Sequence, residues 1–564
     1  MQRLKRGRDG EIVHVPVIYT PTVVQSWVSN NTTGLKCQRI AWKALGKWRS
    51  IVVENSKLAE ASQITKACAD KGFRVTSSRA KDVVDYLDAY WQTNAGRIPN
   101  EEISEQMGWQ RDGSFIAGRR TIGESSTTFH ANDAGDDQIA DFVTSSGSFE
   151  KWAESLDWLQ KYPRVQLAIY AALAPPLLDF MGIQNFILDW SYRTSTGKST
   201  ALNVAASVWG RPGPGRYVGT WNTTRVAIER RAAVLSGLPL ILDDTKQAPV
   251  FQGQSLVSQI IYEIASSSGK SRGSVKGTRH TERYNTVLLT SGESRIIDYS
   301  KDGGTAGRAI SLWGHPFDGD DVSTEIGAMN IKIAHHFGHL GPLFIEYLLK
   351  NREKWSEWGT DLDKRAHEMV ETARGMSGGD VAARISRPLA LIGLVGRLCH
   401  QAVSLPWEWH NPVTSLFTEL TESLKDTDRA KEAAEHVYRW AVENKHRFYG
   451  QHEITREGDA IVPLGGWLGT WQTKTPGNWW DHIDFAVTPL LSELHRAGHD
   501  AMARVREWAD RKEWVRGSAE CKWQSLAKIN GQVCRVISLR RRAVPEADLD
   551  AMLDPPVTTV TEKT

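Results

Sequence analysis

What this chain lacks narrows its class before any motif is read. Cysteine is scarce: Cys37, Cys68, Cys399, Cys521 and Cys534 are all it has in 564 residues. An odd number at wide spacings fits neither a disulfide framework nor a zinc ligand set, so a reducing cytoplasm is expected. Long apolar runs are missing as well. The longest, Leu167 to Ile183, is broken by Pro175, Pro176 and Asp179, short of the ~20 apolar residues of a bilayer span. The basic start, Met1 to Val15, has no apolar stretch behind it, so no signal peptide is expected. A dominant charge sign is absent too, with 69 Lys and Arg against 66 Asp and Glu. The composition, 40% hydrophobic and 24% charged, excludes a disordered or collagen-like chain. Tryptophan is what abounds, at 23 residues. It is expected chiefly in cores and interfaces, with base stacking as the alternative.

The length predicts several domains. Residues 1–120 read as a small α+β domain, with β-like runs at 13–19 and 49–54. Helical stretches follow at Lys57–Lys71 (closed by Gly72) and Ala80–Gln92. Residues 121–148, rich in Ser, Thr, Gly and Asp, read as a linker. Residues 149–320 begin with a helix and continue as alternating strands and helices, the pattern of a mostly parallel α/β sheet. Residues 321–445 are helical by period, with glycine breaks near 338–341 and 375–379. Residues 446–545 suggest two helices and two β-like runs in winged-helix order, and 546–564 a flexible tail.

The sharpest signal begins at Phe186. An apolar strand enters a small-residue loop, Thr194, Ser195, Thr196, and then Gly197, Lys198, Ser199 and Thr200 open a helix. That strand–loop–helix context is what a phosphate-binding loop requires. Backbone N–H groups cradle phosphate oxygens, Lys198 faces the β- and γ-phosphates of ATP, and Ser199 holds Mg²⁺. Tyr192 stands where a leading glycine is usual, tolerable if its backbone is not left-handed. A second apolar strand, Leu238 to Leu242, ends in Asp243 and Asp244, 45 residues after Lys198. Asp243 is the expected Mg²⁺ partner and Asp244 the carboxylate that orients water, one methylene shorter than the usual Glu. A third strand at 286–290 ends in Thr290 and Ser291, candidates to sense the γ-phosphate. Arg308 and Arg384, with Arg387 as rival to the latter, are candidate arginine fingers.

With these motifs in order, the chain resembles the bacterial family called domain of unknown function 927. The resemblance rests on STGKSTALNVAASVWG, TWNTT (Thr220–Thr224), LPLILDD, SGKSR (Ser268–Arg272), LLTSGE and the Trp-rich end, and covers most of residues 13–545. It implies a multidomain α/β protein with an AAA+ (P-loop) core, an α+β N-terminal domain, a helical lid and a winged-helix-like C-terminal domain. It further implies an ATP-driven, hexameric DNA helicase of a phage or other mobile element. Lys270, Arg272, Lys276 and Arg279 would then line a central channel and track single-stranded DNA. Arg504, Arg506, Arg511, Lys512 and Arg516 would offer duplex contacts at the C-terminal end, with a protein–protein module as the equal alternative for that winged helix. The alternative is an ATP-switched replication initiator or loader with little unwinding, which the shorter Asp244 favours; a defence or packaging ATPase is a third.

Overall fold

The structure, a computed structural model, describes residues 2–543 except 7, 70, 252–253, 267–272, 275–276, 279–282, 300–307, 375–378, 424–428, 452–453, 455–459, 472–480, 512–513 and 519–520. Two compact units emerge. The first gathers residues up to 296, 308–369 and 385–417, and the second 297–307, 370–384 and 418 onward.

The first unit begins with a hairpin of β1 (Gln2–Arg6) and β2 (Ile12–Pro16). A five-stranded sheet follows, built on β3 (Thr22–Asn30), β4 (Lys36–Ala44) and β5 (Lys47–Glu54). Helices α1 (Ala61–Ala69) and α2 (Ala80–Asn94) come next, then β6 (Asn100–Ser104). The helices bury Ile64, Cys68, Val83 and Leu87 against Val24, Ile40, Trp42 and Val53 on one sheet face. Three short strands form a small separate sheet, β7 (Gly108–Trp109), β8 (Phe115–Ala117) and β9 (Arg120–Ile122), and β10 (Thr128–Phe129) then joins the first sheet beside β6.

The segment expected as a linker, 121–148, instead carries β10 and α3 (Ala134–Phe142). Asp133 caps α3 by accepting from the N–H groups of Gly135 and Asp136 at 2.8 and 2.9 Å, a device worth ~1 kcal/mol. Asp136 is buried and ion-paired with Arg230. A composition that reads as loop is thus helical, because its acids serve a cap and a buried pair.

Helices α4 (Phe149–Ser155) and α5 (Pro163–Ala172) lead into the central sheet of this unit. Its strands are β11 (Phe186–Ser191), β12 (Gly219–Thr220), β13 (Leu240–Asp243), β14 (Val287–Gly292) and β15 (Ala309–Trp313). They lie in the order β12-β13-β14-β11-β15 and all pair in parallel. Helix α6 (Lys198–Ser207) follows β11, α7 (Arg225–Val234) follows β12, and α8 (Leu256–Ala265) follows β13. β11 and β14 are buried at every position, as a parallel sheet covered on both faces demands. The described tryptophans mostly pack as expected, and several indole N–H groups find partners: Trp152 donates to Ser207, Trp209 to the Ala172 carbonyl and Trp190 to that of Arg164.

From 323 onward the chain is helical: α9 (Ser323–Ile333), α10 (Leu340–Lys350), α11 (Trp355–Ala373), α12 (Gly379–Ala402) and α13 (Pro412–Ser423). The second unit contains α14 (Arg429–Glu443), strand β16 (His482–Ala486), α15 (Val487–Arg496) and α16 (Ala501–Asp510). A hairpin of β17 (Ser525–Ile529) and β18 (Gln532–Arg540) completes it. Trp508, Leu490, Leu494, Val505 and Tyr438 build its core. The tail at 546–564 lies outside the described residues. Among the described residues, no helix is long and apolar enough to cross a membrane, and no His, Cys, Asp and Glu cluster could hold a metal ion.

Candidate nucleotide-binding site

Every strand of the central sheet points the same way, so one edge collects all the C-terminal tips. The sheet order sets β14 between β11 and β13. The loop after β11, the acid-tipped end of β13 and the polar end of β14 therefore meet by topology, although they lie far apart in sequence.

Gly197 is the N-cap of α6, with φ 87°. A Cβ there would come within 2.4 Å of the Phe317 ring, so both conformation and space require glycine. Ser195 takes the other left-handed position, with φ 60°; Tyr192 is not among the residues of positive φ. Its ring packs edge-on against Trp313 at 5.5 Å, and the absent leading glycine therefore costs the loop no strain. Phe317 stacks in turn on Trp158 and meets Tyr162 edge-on. This aromatic wall against the loop was invisible in the sequence, because Trp158 and Phe317 lie so far apart in the chain.

Lys198 Nζ donates to the Tyr192 and Arg193 carbonyls at 2.9 and 2.6 Å. Burial pushes its pKa down, while the charges of Glu293, Asp243, Asp244 and Asp189 push it up. Ser199 is exposed on the first turn of α6, whereas Thr200 turns into the core. Thr196 donates to the Arg193 carbonyl at 3.0 Å, bracing the loop. Asp243 accepts from the Ser291 hydroxyl, which itself accepts from the Asp244 N–H at 3.2 Å.

Three expected residues behave differently. Asp244 has φ 62°, and its carboxylate accepts from the Lys246 N–H at 3.2 Å and from Gln247 Nε2 at 2.9 Å. It caps the turn that follows it. Thr290 is fully buried and accepts from the Trp221 indole at 2.8 Å. Its hydroxyl anchors the TWNTT segment, while Ser291 is the one that reaches the acids. Arg387 donates to the Met181 carbonyl at 2.9 Å and pairs with Asp363 at 3.1 Å, so its guanidinium is engaged within the helical region. Arg384, exposed on α12, falls in the second unit.

One residue was read only as the end of a strand. Glu293, just past β14, accepts from the Thr194 hydroxyl at 3.2 Å and from Lys246 Nζ at 3.0 Å. The Lys246 contact is the main cause that holds its carboxyl below the usual range. Glu293 thus ties the phosphate-loop candidate to the β13 turn.

Arg308 precedes β15, and its carbonyl accepts from the Ile187 N–H at 2.9 Å. That contact fixes Arg308 at the N-terminal end of the sheet. The loop begins past Ser191, roughly 13 Å further along β11 at ~3.3 Å per residue, so Arg308 is remote from the loop of its own subunit. Lys270, Arg272, Lys276 and Arg279 lie outside the described residues. Nearby, Gly273–Ser274 and Gly277–Thr278 pair antiparallel, as a hairpin between β13 and β14.

In the second unit, Arg504 and Arg511 both pair with Glu507, at 2.6 and 3.2 Å, so these two expected phosphate contacts hold α16 together instead. Arg506 and Arg516 are exposed, and Lys512 lies outside the described residues.

The family described as domain of unknown function (DUF927) matches residues 1–284, half of the chain and all of the loop–acid pairing. The chain belongs to this family. No curated protein matches it. Among solved structures, the DUF927 chain is similar to one named SCCmec type IV Cch, active helicase. The two are 16% identical, 96% of each chain is covered, and the TM-score is 0.66; at that identity the likeness is one of fold. The apo A form of the NrS-1 C-terminal region aligns at 6% identity over 65% of this chain and 87% of the other, with a TM-score of 0.22, too low to carry a structural argument.

Proposed function

We propose that this DUF927 protein is an ATP-driven, ring-forming DNA helicase or translocase of a mobile element, built on an AAA+ P-loop core. The observation that carries the reading is the sheet order, which sets Lys198, Asp243, Ser291 and Glu293 at adjoining strand ends with a left-handed Gly197 opening α6. The likeness in fold to a protein named an active helicase supports it.

The residues fit the groups this reading needs. The amide N–H groups of the 194–199 loop and Lys198 bind the phosphates, and the exposed Ser199 and Asp243 would hold Mg²⁺. Bound there, that ion would neutralise negative charge on the phosphates. Water attacks the γ-phosphorus, the bond to the β,γ-bridging oxygen breaks, and ADP leaves. The water's proton passes to a carboxylate, for which Glu293 is better disposed than the turn-capping Asp244. Arg308 serves a neighbour's nucleotide in a ring, six-membered as the resemblance implies, and Lys270, Arg272, Lys276 and Arg279 carry single-stranded DNA through the channel. Helices α15 and α16 with the β17–β18 hairpin act as a winged helix whose outward cations are Arg506 and Arg516.

A strand-displacement assay with ATP on 3′- and 5′-tailed forks tests this, with Lys198→Ala as control. Unwinding that survives K198A refutes the nucleotide site. The engaged Asp244 favours one second reading, an ATP-switched initiator or loader. That reading predicts ATP-dependent assembly on DNA, slow hydrolysis and no displaced strand.

A further inference from the structure

The first sheet carries a feature that the nucleotide chemistry does not use. β3 begins at Thr22, paired with Trp42, so the β4–β5 hairpin runs on past it with no third strand alongside. In that projection Lys43 pairs with Trp48 and Ala44 with Lys47, around the turn Leu45-Gly46. Both turn residues have positive φ, 50° and 79°, the two-residue form that matches strand twist and keeps a hairpin stiff.

The side chains here are unusual for a protein surface. Leu45 is 96% exposed and Trp48 56% exposed. Exposed indoles are rare among the described residues. The other one prominent in this respect, Trp313, packs against Tyr192, whereas no described ring meets Trp48. Lys43, Lys47 and Arg49 are exposed, and none is ion-paired among the described residues. From Lys36 to Val53 the sequence holds Lys36, Arg39, Lys43, Lys47 and Arg49 and no acid. Arg39 pairs with Glu101. Lys43, opposite Trp48 in register, shares its face, while Lys47 and Arg49 alternate to the other. A bare indole at the hairpin thus has exposed cations on both faces beside it, complementary to a polyanion with exposed aromatic faces. A duplex hides its base faces, whereas a single strand presents them.

We propose that the projecting hairpin Lys43–Arg49 is a contact for single-stranded nucleic acid, with Trp48 stacked on a base and Lys43, Lys47 and Arg49 on flanking phosphates. The contact extends the helicase reading, resting on it only for the source of the strand. It gives the N-terminal sheet a hold on the strand that is separate from the nucleotide site.

The test uses the full chain and a thymidine 20-mer, with a 5-iodouracil-substituted copy for photocrosslinking. The crosslink is expected on the peptide that contains Trp48. Trp48→Ala should weaken binding roughly fivefold or more, the lower end of what one stacked base contributes, and Trp48→Phe should restore most of it. Lys43→Gln with Lys47→Gln should flatten the log–log salt slope by about 1.4, at ~0.7 per phosphate. Wild-type affinity and slope in these variants overturn the proposal. So does altered self-association, or altered capture of a protein partner, with oligonucleotide affinity unchanged. The two readings fail separately. A wild-type chain without ATPase or unwinding refutes the helicase assignment and leaves a Trp48 crosslink standing. A working helicase whose W48A variant binds the 20-mer normally refutes the hairpin alone.

Discussion

The first unit contains two five-stranded sheets that solve opposite problems. In the central sheet all strands are parallel, with β11 and β14 buried throughout, and the polar residues gather at the strand tips. In the N-terminal sheet the strands are mixed, helices cover one face, and β5 exposes Lys47, Trp48, Arg49 and Ser50. A sheet covered on both faces has only its ends free, so its chemistry sits where strands give way to loops. A sheet covered on one face keeps side chains free along its strands, which suits recognition of an extended partner. The contrast matches the proposed division, with catalysis at one sheet and contact at the other, and variants can test that division in turn.

The largest effect is expected at Lys198. Lys198→Ala should bring ATP hydrolysis to background while circular dichroism and thermal melting stay close to wild type, because the ammonium contacts only two loop carbonyls. Binding of the thymidine 20-mer without nucleotide should persist. If K198A removed both activities together, the division between the sheets would fail.

Arg308 comes next. Its place at the start of β15, remote from the phosphate-loop candidate, is the reason it is proposed to act on a neighbour's nucleotide. Arg308→Ala should leave nucleotide affinity intact and lower turnover by on the order of 10³, the lower range for arginine fingers. Mixing R308A with K198A subunits should recover activity beyond the additive sum, since some interfaces then pair an intact loop with an intact arginine. Purely additive mixtures would remove Arg308 from the site.

Much of the central sheet was legible, because the phosphate-loop candidate is contiguous and its strand contexts are strongly apolar. What escaped is non-local. Nothing near Thr290 foretells the Trp221 indole that occupies its hydroxyl, 69 residues away in sequence, and nothing near Glu293 foretells Thr194 at 3.2 Å. The N-terminal sheet was harder. β3 and β4 carry Ser26 and Arg39 among their apolar residues, and these two find a partner across the sheet: both bond Glu101. A polar pair that is satisfied only in three dimensions blurs the alternation from which a strand is read. Asp133 and Asp136 misled in the same way within the segment taken for a linker.

The acids at the strand tips give a smaller and sharper test. Glu293→Gln should lower turnover by roughly 10², the scale of a lost general base, with nucleotide binding retained. Asp244→Asn should cost less, because both Asp244 oxygens already accept from the Lys246–Gln247 turn. Single-turnover hydrolysis compares the two directly. A dead D244N beside an active E293Q would return the water to Asp244 and reduce Glu293 to a tie between loop and turn.

The smallest effect belongs to the N-terminal sheet and depends on pH. His130, Glu105 and Cys37 line a cavity of about 490 Å³ at the N-terminal sheet, which Ala67 of α1 also lines. Burial, and secondarily the Arg39 charge, hold its pKa below the ordinary histidine value, although Glu105, Glu101 and Asp137 pull the other way. The folded chain therefore binds this proton less readily than the unfolded chain. Stability linked to His130 is complete above the unfolded value near 6.5 and declines as pH falls from there toward the lower folded value, where the loss levels off. His130→Gln should make the N-terminal sheet less sensitive to acid than wild type, seen as a smaller drop in amide-exchange protection of β4 and β6 between pH 7.5 and 5.5. The central sheet should show the same change in both proteins, since His130 lies against the N-terminal sheet and not against the central one. Equal acid sensitivity of β4 and β6 with and without His130 would mean that Glu101, whose carboxyl, against the pull of burial, Arg39 and Ser26 hold below its ordinary value, rather than the imidazole, sets the response of that sheet.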